Sequence, residues 1–254
     1  MINRYQAQIN DYLSATTGMD FEIRTLSGAW RGLSPLLALD DVSIVGRDGN
    51  SAAVTIDQLD AELNLFQSVT NRSPVWQALT AGRIEIDLIE DEHGSWTLGG
   101  HALGLGAGDT NLEYLFRMIY YSRLLKIDEL IIDVHFYAGS EARFYARDLK
   151  VENHDGFHRT VASIALARQG ENIADFVFEG HGDPANLNEF SGQGYLHLNR
   201  LNMEGSLKTL VSAWLPQLVE QLGDVETELD LSFWFDWKNN ALVNGRGKLK
   251  AAEV

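Results

Sequence analysis

The chain contains no cysteine among its 254 residues. This absence excludes disulfide bonds, thiolate catalysis and zinc sites with thiolate ligands, and it fits either a reducing or an oxidising compartment. Long apolar runs are missing too. No segment approaches the roughly 20 apolar residues that span a bilayer, and the opening MINRYQAQINDYL lacks the apolar core of a signal peptide.

Basic residues are scarce beside acidic ones. The chain has 20 Lys and Arg against 36 Asp and Glu, which gives a formal charge of −16 and a pI near 4.7. A surface of this sign repels phosphate backbones, so we expect no nucleic-acid partner. With 45% hydrophobic and 22% charged residues, the composition is that of a folded protein.

The common catalytic and metal-binding motifs are absent as well. No HExxH segment is present, no pair of histidines with HxxxH spacing lies on a predicted helix, and no serine lies in a GxSxG elbow. The segment GLGAG (104–108) precedes a predicted helix, but Asp109 stands where a dinucleotide fingerprint needs glycine. We therefore expect no enzymatic activity, no cofactor and no metal site, although paired carboxylates such as Asp40 and Asp41 leave an unrecognised glycosidase as a distant alternative.

The tryptophan-rich segment SFWFDW (232–237) permits two interpretations. Trp234 could stack on a carbohydrate. Alternatively, Phe233 and Phe235 point to one face of a strand and Trp234 to the other, in a strand that is covered on both sides. The sequence leaves the role of Trp234 open.

What the sequence has in abundance is alternation of apolar and polar residues. An opening helix is predicted at 2–15, and Gly18 would end it. After this helix, the period of the apolar residues drops to two. A change of phase between Ile56 and Leu59 suggests a bulge. Predicted strands recur about every ten residues, as in antiparallel all-β proteins. They lie at 21–26, 53–66, 84–90, 129–138, 141–153, 158–168, 172–182, 192–201, 227–237 and 241–251.

The segment IEIDLIEDEHGSW (84–96) shows the pattern most clearly. Ile84, Ile86 and Leu88 face one side of a strand, Glu85 and Asp87 face the other, and EDEHG forms a turn before the next strand. A faint echo links residues 38–49 with 146–156, since both carry a strand that ends in an Asp-Gly turn.

Two further helices are predicted. Thr110 and Glu113 form a capping-box pattern that opens a helix at 110–125, and a weaker helix at 207–223 is interrupted by Pro216. A glycine-rich linker at 99–110 precedes the first of them. The apolar stripe of that helix consists of Leu112, Leu115, Phe116 and Ile119.

The order of these segments resembles the AsmA-like family, and most closely its YhdP-type members. The motif L-x-G-x-W-x-G-L-x-P-x-L-x-L-x-D-V at 26–42 is followed by I-x-I-D-L-I-x-D-x-x-G-x-W-x-L at 84–98. Later segments, including DLKVENHDGFHRTVASIAL and LDLSFWFDW, follow in the expected order with looser similarity. The resemblance covers nearly the whole chain, with specific motifs in its first hundred residues.

The resemblance implies a mainly β fold with a few helices, in which a long twisted antiparallel sheet curls into a repeating β-groove. We expect an N-terminal module at 1–98, the linker at 99–110 and a continuing groove segment at 111–254. The chain ends directly after a strand-like segment, so we also expect a segment of a longer protein whose N-terminal membrane helix lies elsewhere. Such a protein would be anchored in the inner membrane and cross the periplasm.

The implied function is shielding of phospholipid acyl chains while phospholipid moves between inner and outer membrane. Partners would be phospholipid acyl chains, the inner membrane and envelope proteins. The alternative is a scaffold that uses its sheet edges in envelope assembly. We predict that the helix at 110–125 acts as a plug or gate for the groove; the alternative is a helix that permanently covers a hydrophobic core. The predicted groove lining comprises Phe21, Ile23, Val54, Ile56, Leu63, Ile84, Ile86, Leu88, Val134 and Phe136. The same alternation also builds the closed core of a two-sheet sandwich, which is the alternative role for these residues.

Overall fold

A computed structural model describes most of the chain. It covers residues 6–17, 20–45, 52–71, 75–102, 122–139, 141–166, 168, 170, 172–183, 189–202, 227–239 and 241–253. The helices and strands are α1 (Gln6–Thr17), β1 (Asp20–Arg31), β2 (Ser34–Val45), β3 (Ala52–Leu63), α2 (Leu65–Asn71), β4 (Trp76–Glu90), β5 (Trp96–Leu98), β6 (His101–Ala102), β7 (Leu124–His135), β8 (Glu141–His154), β9 (Phe157–Ala165), β10 (Ala174–His181), β11 (Ser191–Asn202), β12 (Thr227–Lys238) and β13 (Ala241–Glu253).

The described strands form one open sheet. Its order is β1-β2-β3-β4-β7-β8-β9-β10-β11-β12-β13, and the short hairpin β5-β6 branches from β4. Neighbours pair antiparallel throughout, except that β4 and β7 pair parallel, with Ile84 opposite Leu130. A mainly β fold built on one long antiparallel sheet with few helices confirms the predicted fold class.

The alternation of side chains gives this sheet two unlike faces. Residues directly opposite one another in the register share a face, so the pairs Phe21–Ile44, Val54–Ile86 and Ile86–Ile132 place all of these apolar side chains together. Their sequence neighbours, such as Glu85, point to the other face. We call the first side the apolar face and the second the polar face.

The phase change predicted near Ile56 is one part of a larger feature. On each of the six strands β1, β2, β3, β4, β7 and β8, two successive residues interrupt the apolar alternation at the same level of the register. We call this feature the polar row. It consists of Arg24-Thr25, Asp40-Asp41, Asp57-Gln58, Gly82-Arg83, Asp128-Glu129 and Arg147-Asp148.

Two aspartates of the polar row explain the faint internal echo. Asp41 and Asp148 both have positive φ, at 51° and 50°. This left-handed conformation is uncommon outside glycine and is enriched in aspartate. A left-handed residue within a strand rotates the side chains that follow it. The apolar alternation in the sequence is therefore out of phase across the polar row, and the apolar side chains before and after the row still point to the same face. The echo therefore marks a shared strand irregularity.

Several predicted boundaries were wrong. The strand predicted at 53–66 ends at Leu63, and Leu65 begins α2, because Asn64 caps that helix by accepting a hydrogen bond from the Gln67 N–H at 3.0 Å. The helix predicted at 110–125 cannot extend to its last two residues, since β7 begins at Leu124. Most of that helix, and the one predicted at 207–223, lie outside the described residues.

Other predictions are confirmed. The opening helix is present as α1, and the hairpin at 84–96 is present as β4, a turn and β5. In that turn, Asp91 Oδ1 accepts hydrogen bonds from the backbone N–H groups of His93 and Ser95, both at 2.8 Å. Within the described part of the chain, no helix is long and apolar enough to cross a membrane. Gly99 and Gly100 turn the chain from β5 into β6, and the remainder of the predicted linker is outside the described residues.

Candidate functional site

The apolar face is the most extensive candidate surface in the structure. Its aliphatic part runs from β1 to β8 and includes neighbouring clusters of buried side chains. The largest cluster is centred on β4, β7 and β8, where Leu79, Ala81 and Leu125 are buried. Adjacent apolar side chains on a sheet pack across the strands, so this face is continuous.

The structure brings the predicted lining residues onto this one face. Phe21, Val54 and Ile86 lie at the same level of the register, with Ile23, Ile56 and Ile84 one step along it. Leu63 lies at the far end of β3. The buried members are Ile23, Val54, Val134 and Phe136, whereas Phe21, Ile56, Leu63, Ile84, Ile86 and Leu88 are half-buried. Their contact with lipid stays a prediction.

The predicted gate residues cannot be placed in the same way. Leu112, Leu115, Phe116 and Ile119 all lie outside the described residues. The gate therefore also stays a prediction.

An aromatic stretch of the apolar face was missed by the sequence reasoning. On β10 to β13, glycines of one strand lie opposite phenylalanines of the next, as in the pairs Phe178–Gly194 and Gly194–Phe235. The rings stack in a row, with centroids 6.2 Å apart between Phe178 and Phe235 and 5.8 Å apart between Phe233 and Phe235. A side chain on Gly194 would overlap the Phe235 ring. The available signal was the pair of G-x-G segments in β11 and β13 on either side of the F-x-F segment in β12, in which Phe233 and Phe235 lie opposite Gly247 and Gly245.

The polar face carries an ion-pair network where it crosses the polar row. Arg83 Nε donates to Glu129 Oε2 at 2.9 Å, Arg83 Nη1 lies 3.5 Å from Asp57 Oδ2, and Arg168 Nη2 lies 3.1 Å from Glu129 Oε2. Burial alone would raise the pKa of the Glu129 carboxyl, but the hydrogen bonds from the two arginines outweigh it and lower that pKa. These charges link β3, β4 and β7 on the side opposite the apolar face.

Trp234 lies on the polar face, so its orientation opposite Phe233 and Phe235 is as the second interpretation predicts. Its ring packs 5.2 Å from that of Tyr195, and the Arg246 guanidinium lies 5.4 Å from the ring centroid. These distances fit an aromatic contact and a cation–π interaction within the sheet.

A small polar cluster interrupts the apolar face near one end of the sheet. Asn153 Nδ2 donates to the Ser122 carbonyl oxygen at 2.7 Å. His158 Nδ1 lies 2.7 Å from Asn153 Oδ1, and His158 Nε2 lies 2.9 Å from the Gly182 carbonyl oxygen. Burial lowers the pKa of the His158 imidazole. Nothing in the sequence distinguished these residues from other polar residues at strand ends.

Comparison with known proteins gives one match. A family model described as "YhdP protein" matches residues 1–254. No curated protein and no solved structure matches the chain. The matched family is associated with the cell envelope, and membership suggests a role related to lipid transport. Because the match spans the whole chain, the protein belongs to the YhdP family.

Proposed function

We propose that the apolar face shields the acyl chains of phospholipids while they pass between the inner and outer membranes, and so supports the permeability barrier of the outer membrane. The observation that carries this proposal is the apolar face that extends across the paired strands from β1 to β13. A surface of this kind binds lipid without specific polar contacts, because burying each CH₂ group is worth about 0.8 kcal/mol.

The described architecture supports shielding of acyl chains. The strands form a single layer, so the apolar face has no second sheet packed against it among the described elements. The acyl chain of a phospholipid has the apolar chemistry that such a face accepts. We propose a non-enzymatic protein of the periplasm that is attached to the inner membrane in its full-length form.

The test places one charge on each face of β4. Ile86 is half-buried on the apolar face, and its neighbour Glu85 is exposed on the polar face. A carboxylate on the acyl-chain path costs several kcal/mol of desolvation when a chain passes, so we expect Ile86→Asp to bind and transfer less phospholipid. Glu85→Arg changes the charge without touching that path and should behave like the wild type.

The measurement is phospholipid retained by each purified variant in native mass spectrometry, together with outer-membrane lipid supply in cells that carry the full-length variants. Circular dichroism and protein abundance must match the wild type for the comparison to count. If Ile86→Asp fails to fold, Leu249→Asp with Lys248→Asp as its control repeats the test on β13, where Leu249 is 57% exposed.

Equal lipid binding and equal activity of the folded apolar-face and polar-face variants would contradict shielding. That result would favour the second candidate, a scaffold that pairs with another β-protein through its sheet edge. The observation behind the second candidate is β13, which pairs with β12 on one side and whose side chains at 241–250 are exposed.

A further inference from the structure

The polar cluster on the apolar face borders a cleft of about 500 Å³. The cleft lies where β7 begins, where β8 turns into β9 and where β10 ends. Its wall includes Trp76, Arg123, Asp155, His158 and Asp183. Trp76 also packs against the largest apolar cluster, so the cleft adjoins the surface proposed to hold acyl chains.

Buried polar side chains are concentrated at this cleft. Among the described residues, the buried polar side chains are Ser122, Asn153 and His158, and the hydrogen bonds that join them place all of them together. The Gly182 carbonyl oxygen, from another lining residue of the cleft, lies 2.9 Å from His158 Nε2. Polar groups on an apolar face cost free energy unless they are satisfied, so this arrangement holds a polar wall in a fixed shape.

The cleft also presents both signs of charge. The exposed Arg123 side chain lines it and a second cleft beside it, and Asp155 and Asp183 also line the first cleft. A purely anionic ligand would meet these carboxylates within a protein of formal charge −16. A ligand with one phosphate and one ammonium group matches both signs at once.

We propose that this cleft binds the zwitterionic headgroup of an amine-bearing phospholipid, with its phosphate at Arg123 and its ammonium at Asp155 and Asp183. Asn153 and His158 are positioning residues that hold the wall. The acyl chains continue past Trp76 onto the apolar face. This inference rests on the proposed function, because it assigns a headgroup site to a lipid whose chains that face holds.

Isothermal titration calorimetry of the purified chain with three probes tests the inference. Dihexanoyl phosphatidylethanolamine carries both headgroup and chains, glycerophosphoethanolamine carries the headgroup alone, and N-phenyl-1-naphthylamine is an uncharged apolar dye. We expect Arg123→Gln and Asp183→Asn each to weaken binding of the short-chain lipid by about tenfold, the loss of one charge-assisted contact, and to leave dye binding unchanged. Arg143→Gln, which removes a polar-face ion pair with Asp133, is the control and should bind all probes as the wild type does.

Each other outcome overturns the assignment in a distinguishable way. If both cleft variants fold and bind the short-chain lipid as tightly as the wild type does, the cleft is not a headgroup site, and the proposed function is unaffected. Equal affinity for glycerophosphoethanolamine and the short-chain lipid would mean that the cleft takes a soluble phosphate compound. If the wild type binds neither the dye nor the short-chain lipid, the proposed function itself is contradicted. If Arg123→Gln does not fold, Asp183→Asn carries the test.

Discussion

His158 shows how one buried residue makes stability depend on pH. The side chain is 6% exposed, and burial lowers the pKa of its imidazole despite the opposing hydrogen bond to the Gly182 carbonyl oxygen. The folded protein therefore takes up its proton at lower pH than the unfolded chain, whose histidine has a pKa of about 6.5. As the pH falls below about 6.5, the unfolded state binds the proton first, so this residue makes the free energy of unfolding fall.

We predict that wild-type stability decreases between about pH 7.5 and pH 5.5, by up to about 1.4 kcal/mol per pH unit from this residue. Urea denaturation at both values measures the change. In His158→Gln, the amide can still donate to the Gly182 carbonyl oxygen but cannot titrate. We expect this variant to be less stable than the wild type at pH 7.5, and its free energy of unfolding to depend less on pH. Parallel pH profiles for the two proteins would contradict the prediction.

At the scale of strands, β10 to β13 show why glycine and phenylalanine alternate on the apolar face. The rings of Phe178 and Phe235 cover the backbone at Gly194, where a Cβ would overlap Phe235. We predict that Gly194→Ala displaces that ring and lowers the free energy of unfolding by about 1–3 kcal/mol, the usual range for overpacking.

The control is a glycine of another strand with open space around it. No heavy atom lies within 4 Å of a Cβ built at Gly82, and its φ is not in the left-handed region. Gly82→Ala should therefore leave stability unchanged or raise it by about 0.5–1 kcal/mol, because alanine loses less backbone entropy on folding. Chemical denaturation of both variants makes the comparison, and equal loss from both would show that ring displacement is not the cause.

Local alternation predicted most of the strands because the period of two survives in the sequence wherever one face is apolar. It failed at Leu65, where an apolar residue continues the strand pattern but the Asn64 cap starts α2. It also could not identify the parallel pairing of β4 with β7, since partner choice depends on long-range contacts that leave no local period. The cluster of Asn153 and His158 escaped for the same reason, because residues from neighbouring strands meet only in the folded sheet.

At the scale of the whole molecule, the register joins segments from both sides of the predicted linker into one sheet. β4 lies before residues 99–110 and β7 after them, yet Arg83 and Glu129 form an ion pair across their boundary. The consequence is a single sheet whose two faces have opposite properties: acidic residues lie on the polar face, and apolar residues lie on the apolar face. The proposed function needs both, since one face holds chains and the other stays in water.

The charge of the whole molecule should control how it meets a membrane. With a formal charge of −16, the protein is repelled by anionic vesicles and not by zwitterionic ones. We predict that it takes up fluorescent phospholipid faster from phosphatidylcholine vesicles than from phosphatidylglycerol vesicles at low salt. The difference should narrow at about 0.5 M salt, where the Debye length falls to about 4 Å. The measurement is the rate of phospholipid transfer, which is monitored through the loss of fluorescence self-quenching. Faster uptake from anionic vesicles at low salt would contradict the prediction and show that a local basic surface, rather than the net charge, governs the encounter.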